Sequence, residues 1–314
     1  MSQSSTSSNR IYQGMALAAI AAFIWSGNFI VARAVIRVIS PVSLAFLRWL
    51  TASIVLFPIC LPRMKELVVL VKKHFIYFFF LSLFGITLFN TFVYVAGHYS
   101  SAINLALIGT TSSPIFATIL AGIFLREKTR GMQLVGLLVC IAGILLLLSK
   151  GDLHTLLGFR FSRGDWWVLA GSMAFAIYNV LVRKNPVKVK GLDFLFITFS
   201  IGTLLLLPAF AIDRAVNTPI EWSGSLVMII LYLGVGASAV CYLCWNASIA
   251  RLGASRTAIF GNLIPIFSTL EAVVILNEQL LPLHIISGFI VIGGLLLANL
   301  FNKGARSTNK ELAL

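Results

Sequence analysis

Glu271 is the only acidic residue of this 314-residue chain that lies well inside an apolar run, about seven residues, or roughly 10 Å along a helix, before the run ends. A carboxyl group in such surroundings must face a partner or a cavity, or else carry a proton. That makes it a candidate proton carrier or counter-ion for an amine, with an ion-paired or protonated structural glutamate as the plainer alternative. Arg48 is the basic counterpart. Its guanidinium could hold a carboxylate bidentately, or, since Pro41 opens the run only about two helical turns earlier, it could snorkel or tie down a helix end. Other polar and aromatic residues fall one helical turn apart in apolar runs: Trp25 with Asn28, Asn90 with Tyr94, and Tyr242 with Trp245. Tyr178 and Asn179 sit in the repeat-equivalent part of the chain, and Asn262 precedes Pro265. Aromatic walls with amide groups suit an amphipathic organic solute. The same residues could also serve as core, interface belt and interhelical glue.

The elements that carry these residues are embedded in lipid. Hydrophobic residues make up 59% of the chain and charged residues 11%, with a mean hydropathy of +0.97. A soluble domain carries about 25% charged residues. A bilayer span takes roughly 20 mainly apolar residues. Ten such stretches are marked off: 14–32, 42–62, 75–97, 101–125, 131–149, 166–182, 193–212, 225–248, 256–277 and 281–301. The connections are short, the longest running over about 150–165, and none has room for a soluble catalytic domain. The opening residues have too little positive charge for a cleavable signal peptide, so the first stretch is expected to stay as a helix.

The chain also repeats itself. Gly14, Arg33 and Pro58 recur 150 residues later as Gly164, Arg183 and Pro208, while Pro114, Phe116, Glu127 and Gly143 recur 151 residues later as Pro265, Phe267, Glu278 and Gly294. The expected organisation is a polar tail at 1–13, a five-helix repeat at 14–149, a connecting loop at 150–165, a second repeat at 166–301 and a polar tail at 302–314. Five is odd, so the second repeat enters the membrane upside down relative to the first. The fold class is therefore an all-α membrane protein of ten transmembrane helices in two inverted five-helix repeats, with a pathway expected between them. With both termini on the inner side, seventeen of the 24 Lys and Arg residues fall on inner segments, which satisfies the positive-inside rule. The net charge of +14 is thereby accounted for by topology, and no nucleic-acid partner is needed.

Several segments carry a resemblance: WSGNF at 25–29, LAFLRWL around Arg48, YLCWNASIARLGASR from Tyr242 to Arg256, GNLIPIFSTLEAVVILNEQL from Gly261 to Leu280, and SSPIFATILAGIFLREK from Ser112 to Lys128. Together they are similar to the EamA-type branch of the drug/metabolite transporter superfamily, over roughly residues 14–301. The resemblance implies a ten-helix carrier in a bacterial inner membrane, often an exporter of amino acids or related compounds. It also implies that Trp25 and Asn28 lie beside the central cavity and that Arg48 matches the arginine common in the family's second helix. Glu271 departs from the pattern, because the family usually has an apolar or small residue there; the first repeat has Leu120.

The remaining features read as architecture. Pro114 and Pro265, equivalent in the repeat, are expected to kink long helices near the pathway. Glu127 and Glu278 end those helices and are expected to accept hydrogen bonds from free amides of the next helix at tight hairpins. Gly136, Gly143, Gly288, Gly293 and Gly294 allow close helix packing, and these glycine-containing helices could also join two copies of the chain. Cys241 and Cys244 form a CxxC inside an apolar stretch with no histidine nearby, so neither a metal nor a cofactor is expected. A membrane enzyme is disfavoured, since HExxH, GxGD and DxD are absent and Asp152, Asp165, Asp193 and Asp213 fall in loops or at helix edges. A channel or structural scaffold is the third class; a channel would want a polar lining or rings of charge, which these helices lack. Uptake or facilitative exchange of a small metabolite stands as the alternative to export.

Overall fold

The computed structural model describes residues 2–125, 131–148, 162–187, 189, 191–252, 257 and 260–300. The spans are made of α1 (Ser2–Ala34), α2 (Pro41–Cys60), α4 (Phe75–Ser82) continued by α5 (Phe89–Gly97), α6 (Ala102–Leu125), α7 (Gly131–Leu148), α8 (Arg163–Arg183), α9 (Gly191–Val216), α10 (Gly224–Leu231) continued by α11 (Cys241–Leu252), α12 (Ile264–Leu276) and α13 (Pro282–Leu300), with α3 (Met64–Lys73) between the second and third spans. Among the described residues, seven of these are long and apolar enough to cross a membrane, and three are shorter apolar helices. Large side chains on the outer surface are left bare, among them Val274 at 77% and Phe289 at 74% exposure. That is the surface of a protein solvated by hydrocarbon.

Helix starts follow the sequence. Ser40 caps α2 by accepting from the Ser43 amide, with Pro41 in the first turn. Ser162 and Asp165 form a reciprocal capping box on α8. Three expectations need correction. First, the helix of the first stretch begins before residue 14: α1 reaches back to Ser2. Second, the 256–277 stretch is not one helix: a 3₁₀ turn over Gly261–Leu263 leads into α12. Pro265 therefore sits in the first turn of a helix, where its missing N–H costs nothing, and does not interrupt a helix middle. Pro114 does fall mid-helix, within α6. Third, α3 is an amphipathic helix where a simple connection was expected, with Leu67 buried and Val69 67% exposed.

The third and eighth spans each contain a π-helical segment, Leu83–Leu88 and Tyr232–Val240, at positions about 150 residues apart. These wider turns shift helical register and free backbone carbonyls, and they occur often at functional sites.

The principal helix contacts are preserved when each span is exchanged for its counterpart five spans away. The pairing α1·α11 becomes α8·α5, and α1·α12 becomes α8·α6; α2·α9, α6·α12 and α7·α13 map onto themselves. That is the packing of two related five-helix units. Within α7·α13, a Cβ on Gly294 would lie 2.7 Å from the Gly136 carbonyl oxygen and one on Gly143 would lie 2.8 Å from Val291. These glycines thus serve packing inside the chain, whereas Gly293 meets nothing within 4 Å and Gly288 only Leu107 at 4.0 Å.

Candidate functional site

Arg48 turns inward. Two helical turns after Pro41 it is only 4% exposed, so the snorkelling alternative does not hold. Its Nη1 donates to Asn28 Oδ1 at 2.5 Å, Asn90 Oδ1 at 2.9 Å and the Tyr94 hydroxyl at 2.8 Å, while Nε donates to Ser238 Oγ at 3.2 Å. Tyr94 in turn donates to Asn28 Oδ1 at 3.0 Å. Three spans thereby supply neutral acceptors to one cation on α2: α1, α5 and the second π segment. The π geometry places Ser238, whose hydroxyl donates five residues back to the Leu233 carbonyl at 2.9 Å. The guanidinium carbon stands 4.7 Å from the Trp49 ring centroid. Among the described residues no carboxylate pairs with Arg48 and no acceptor takes the hydrogens of Nη2.

From Trp49 an aromatic wall runs on. Trp49 lies 4.7 Å from Phe199, Phe199 5.8 Å from Tyr242, Tyr242 5.7 Å from Trp25, and Trp25 5.1 Å from Trp245, all between ring centroids. Trp25 Nε1 is fixed by the Ala237 carbonyl at 2.8 Å, again a π-segment residue. Tyr178, buried on α8, interacts through its hydroxyl with Tyr242. A Cβ on Gly261 would lie 3.8 Å from Trp245, so the turn that bears Asn262 runs beside this wall; the Asn262 side chain is outside the described residues.

Of the residues singled out from sequence, Trp25, Asn28, Arg48, Asn90, Tyr94, Tyr178, Tyr242 and Trp245 meet in one neighbourhood. Asn179 makes no hydrogen bond to it among the described residues. Asn28, Arg48, Asn90 and Tyr94 are packed on one another, each less than 9% exposed. Sequence reasoning missed Ser238, Trp49 and Phe199. A serine in a glycine-rich run and aromatics in apolar stretches look like ordinary packing until the π turns and the α2·α9 contact align them.

Glu271 lies on α12, where Ser26 of α1 stands 2.7 Å from its Oε1. Glu278 accepts from free helix amides as expected, but from a different helix. Its two oxygens accept from the amides of Ala102 at 2.8 Å and Ile103 at 3.2 Å, at the N-terminus of α6 in the other half, not from the helix that follows it. Asn277, at φ 53°, turns the chain so that this is reachable. Glu127 falls outside the described residues. Cys241 is buried and Cys244 half-buried, both as free thiols, and no group of potential metal ligands occurs among the described residues. His98 lies beside Arg33, which donates to the Gly97 carbonyl at 3.1 Å; burial first and that positive charge second hold the imidazole below its ordinary range.

The comparisons agree with this architecture. The EamA-like transporter family model matches twice, over residues 12–149 and 162–300. An uncharacterized transporter of Archaeoglobus fulgidus is 28% identical over 90% of this chain and 95% of its own. The uncharacterized transporter YyaM of Bacillus subtilis is 27% identical over 73% of this chain and 74% of its own. A probable terminal-alkyne amino-acid exporter of Streptantibioticus cattleyicolor is 28% identical over 62% and 63% respectively. A solved crystal structure superposes with a TM-score of 0.62 at 19% identity, covering 93% of this chain and 97% of that one, a likeness of fold. Two five-span units, each matched by one family model and packed with the exchange symmetry of a duplication, make this chain a member of the EamA-like transporter family.

Proposed function

We propose that this protein is a secondary carrier that exports a small metabolite bearing a carboxylate, of the amino-acid kind, across a bacterial inner membrane by alternating access. Both termini are cytoplasmic in this reading. The observation that carries it is Arg48: a buried guanidinium, oriented by Asn28, Asn90, Tyr94 and Ser238, with Nη2 unused and no carboxylate counter-ion among the described residues. A buried cation held by neutral acceptors alone gains most when a substrate carboxylate arrives, because that pairing supplies the charge neutralisation the protein withholds. The adjoining wall of Trp25, Tyr242 and Trp245 offers an apolar face to the rest of the solute. The amino-acid class is supported by the Streptantibioticus relative, whose name reads as a probable exporter of one.

The test is an untargeted comparison of metabolites in cells lacking or overexpressing the protein. Export predicts a compound retained inside on deletion and enriched outside on overexpression; the opposite pattern would assign uptake. The compound should carry a carboxylate, its carboxamide analogue should not be transported, and Arg48→Met should abolish transport while still reaching the membrane. Transport of a cation with no acidic group would overturn the assignment.

A further inference from the structure

Between α1 and α12 lies a niche that Arg48 does not explain. Ser26, fully buried, has its Oγ 2.5 Å from the Phe23 carbonyl oxygen and 2.7 Å from Glu271 Oε1. A hydroxyl carries one proton, and a backbone carbonyl can only accept. If Ser26 donates to Phe23, then Ser26 must accept from Glu271, and only a protonated carboxyl can donate. If Glu271 were ionised, the single Ser26 proton would have to be shared between two acceptors at short range. The protonated form gives each contact a proton of its own: Glu271 O–H to Ser26, then Ser26 O–H to the Phe23 carbonyl.

The surroundings fit a neutral group. Glu271 Oε2 is buried with no hydrogen-bond partner, and so is Ser268 Oγ, on the turn before it. Among the described residues no cation is paired with Glu271. Helix α6, which packs on α12, carries no titratable residue between Ala102 and Leu125; α1 carries Arg10, Tyr12 and Arg33 only toward its ends. Tyr232 is a titratable neighbour of Glu271, and its hydroxyl donates to the Ile24 carbonyl.

We propose that Glu271 and Ser26 form a proton-binding site between α1 and α12, occupied at neutral pH when the two helices are packed together. Closure of α1 on α12 therefore takes up a proton, and loss of that proton forces Ser26 and Glu271 apart. Occupancy of the site stands independently; its use to couple proton movement to export rests on the carrier reading.

Infrared difference spectroscopy of the purified full-length protein, titrated through neutral pH, reads the proton directly through the carbonyl stretch of a protonated carboxylic acid. The expected result is a band present at pH 7 in the wild type, absent in Glu271→Gln, and moved to higher frequency in Ser26→Ala, where the acceptor is lost. The Ser26→Ala arm assigns the band even if the glutamine variant is poorly folded. Absence of the band in wild type at pH 7, or its persistence unshifted in both variants, would overturn the proposal. A sodium-dependent rise in thermal stability that vanishes in Glu271→Gln would assign the niche to a metal cation and overturn it equally.

Discussion

Arg48 shows how one buried charge organises its neighbours. Its hydrogen bonds to Asn28, Asn90, Tyr94 and Ser238 exist only because those side chains have nothing better to accept from in an apolar interior. Leu at position 90 removes an acceptor from a cation that stays buried, and should cost about 1 to 3 kcal/mol. Tyr94→Phe removes a single neutral hydroxyl and should cost about 1 kcal/mol. Arg48→Met removes the charge itself, and since exchanging a buried charge for an apolar group is often close to neutral, it should be at least as stable as Asn90→Leu while inactive in export. Thermal unfolding of the detergent-solubilised variants checks the order. If Arg48→Met proved the least stable of the three, the arginine would be a structural tie and not a binding group. The candidate residues were legible in the sequence as polar groups in apolar runs. Which of them meet was not, because one helical turn of spacing fixes a shared face on one helix but says nothing about which other helix that face meets.

At the scale of helices, close approach depends on what is absent. A Cβ on Gly234, in the second π segment, would lie 2.6 Å from Thr51 Cβ and 3.0 Å from the Arg48 carbonyl oxygen, and one on Gly97 would lie 2.0 Å from the Ala32 carbonyl oxygen. Backbone cannot step aside cheaply, so Gly234→Ala and Gly97→Ala should each destabilise by about 1 to 3 kcal/mol. Gly293→Ala, with nothing within 4 Å, should be within about 0.5 kcal/mol of wild type. Equal effects at all three positions would refute the packing argument. Glu278 supplies a second test: Glu278→Ala leaves the α6 amides of Ala102 and Ile103 without their acceptors and should cost about 1 kcal/mol. Glu278→Gln should recover part of that loss. Apolar periodicity places the helices, but it is blind to the two π segments, since a single extra residue in a uniformly apolar turn leaves no mark in hydropathy.

Across the whole molecule, α2 and α9 are tied at both ends by contacts that the repeat relates. At the face where α1 begins, Arg63 meets Asp193 at 2.9 Å; at the opposite face, Asp213 Oδ2 accepts from Ser40 at 2.5 Å and Ser43 at 2.6 Å. Arg63 and Asp213 are 150 residues apart, as are Ser43 and Asp193. Weakening one tie should favour opening at that face. In a background without the four native cysteines, Asp193→Asn should raise the labelling of Trp25→Cys by an impermeant thiol reagent applied from the first face, and Asp213→Asn should raise it from the second. Unchanged labelling in both would show that the ties are not part of the opening movement. Reporter fusions after Leu314 and near Thr155 should report cytoplasm and exterior respectively; the same side for both would refute the proposed topology. The sequence by itself determined the membrane class, the ten spans and the duplication, because burial in lipid demands long apolar runs and a repeat leaves matching landmarks at a constant offset. It also marked Arg48 and Glu271 as costly groups in need of a reason. Only the tertiary structure decided that Arg48 is held by four neutral acceptors, that Glu278 caps a helix of the other half, and that Ser26 and Glu271 lie within hydrogen-bond reach. Each of these depends on contacts between residues 20 to 245 positions apart, and hydropathy measures how well a residue tolerates lipid without specifying which partner it finds there.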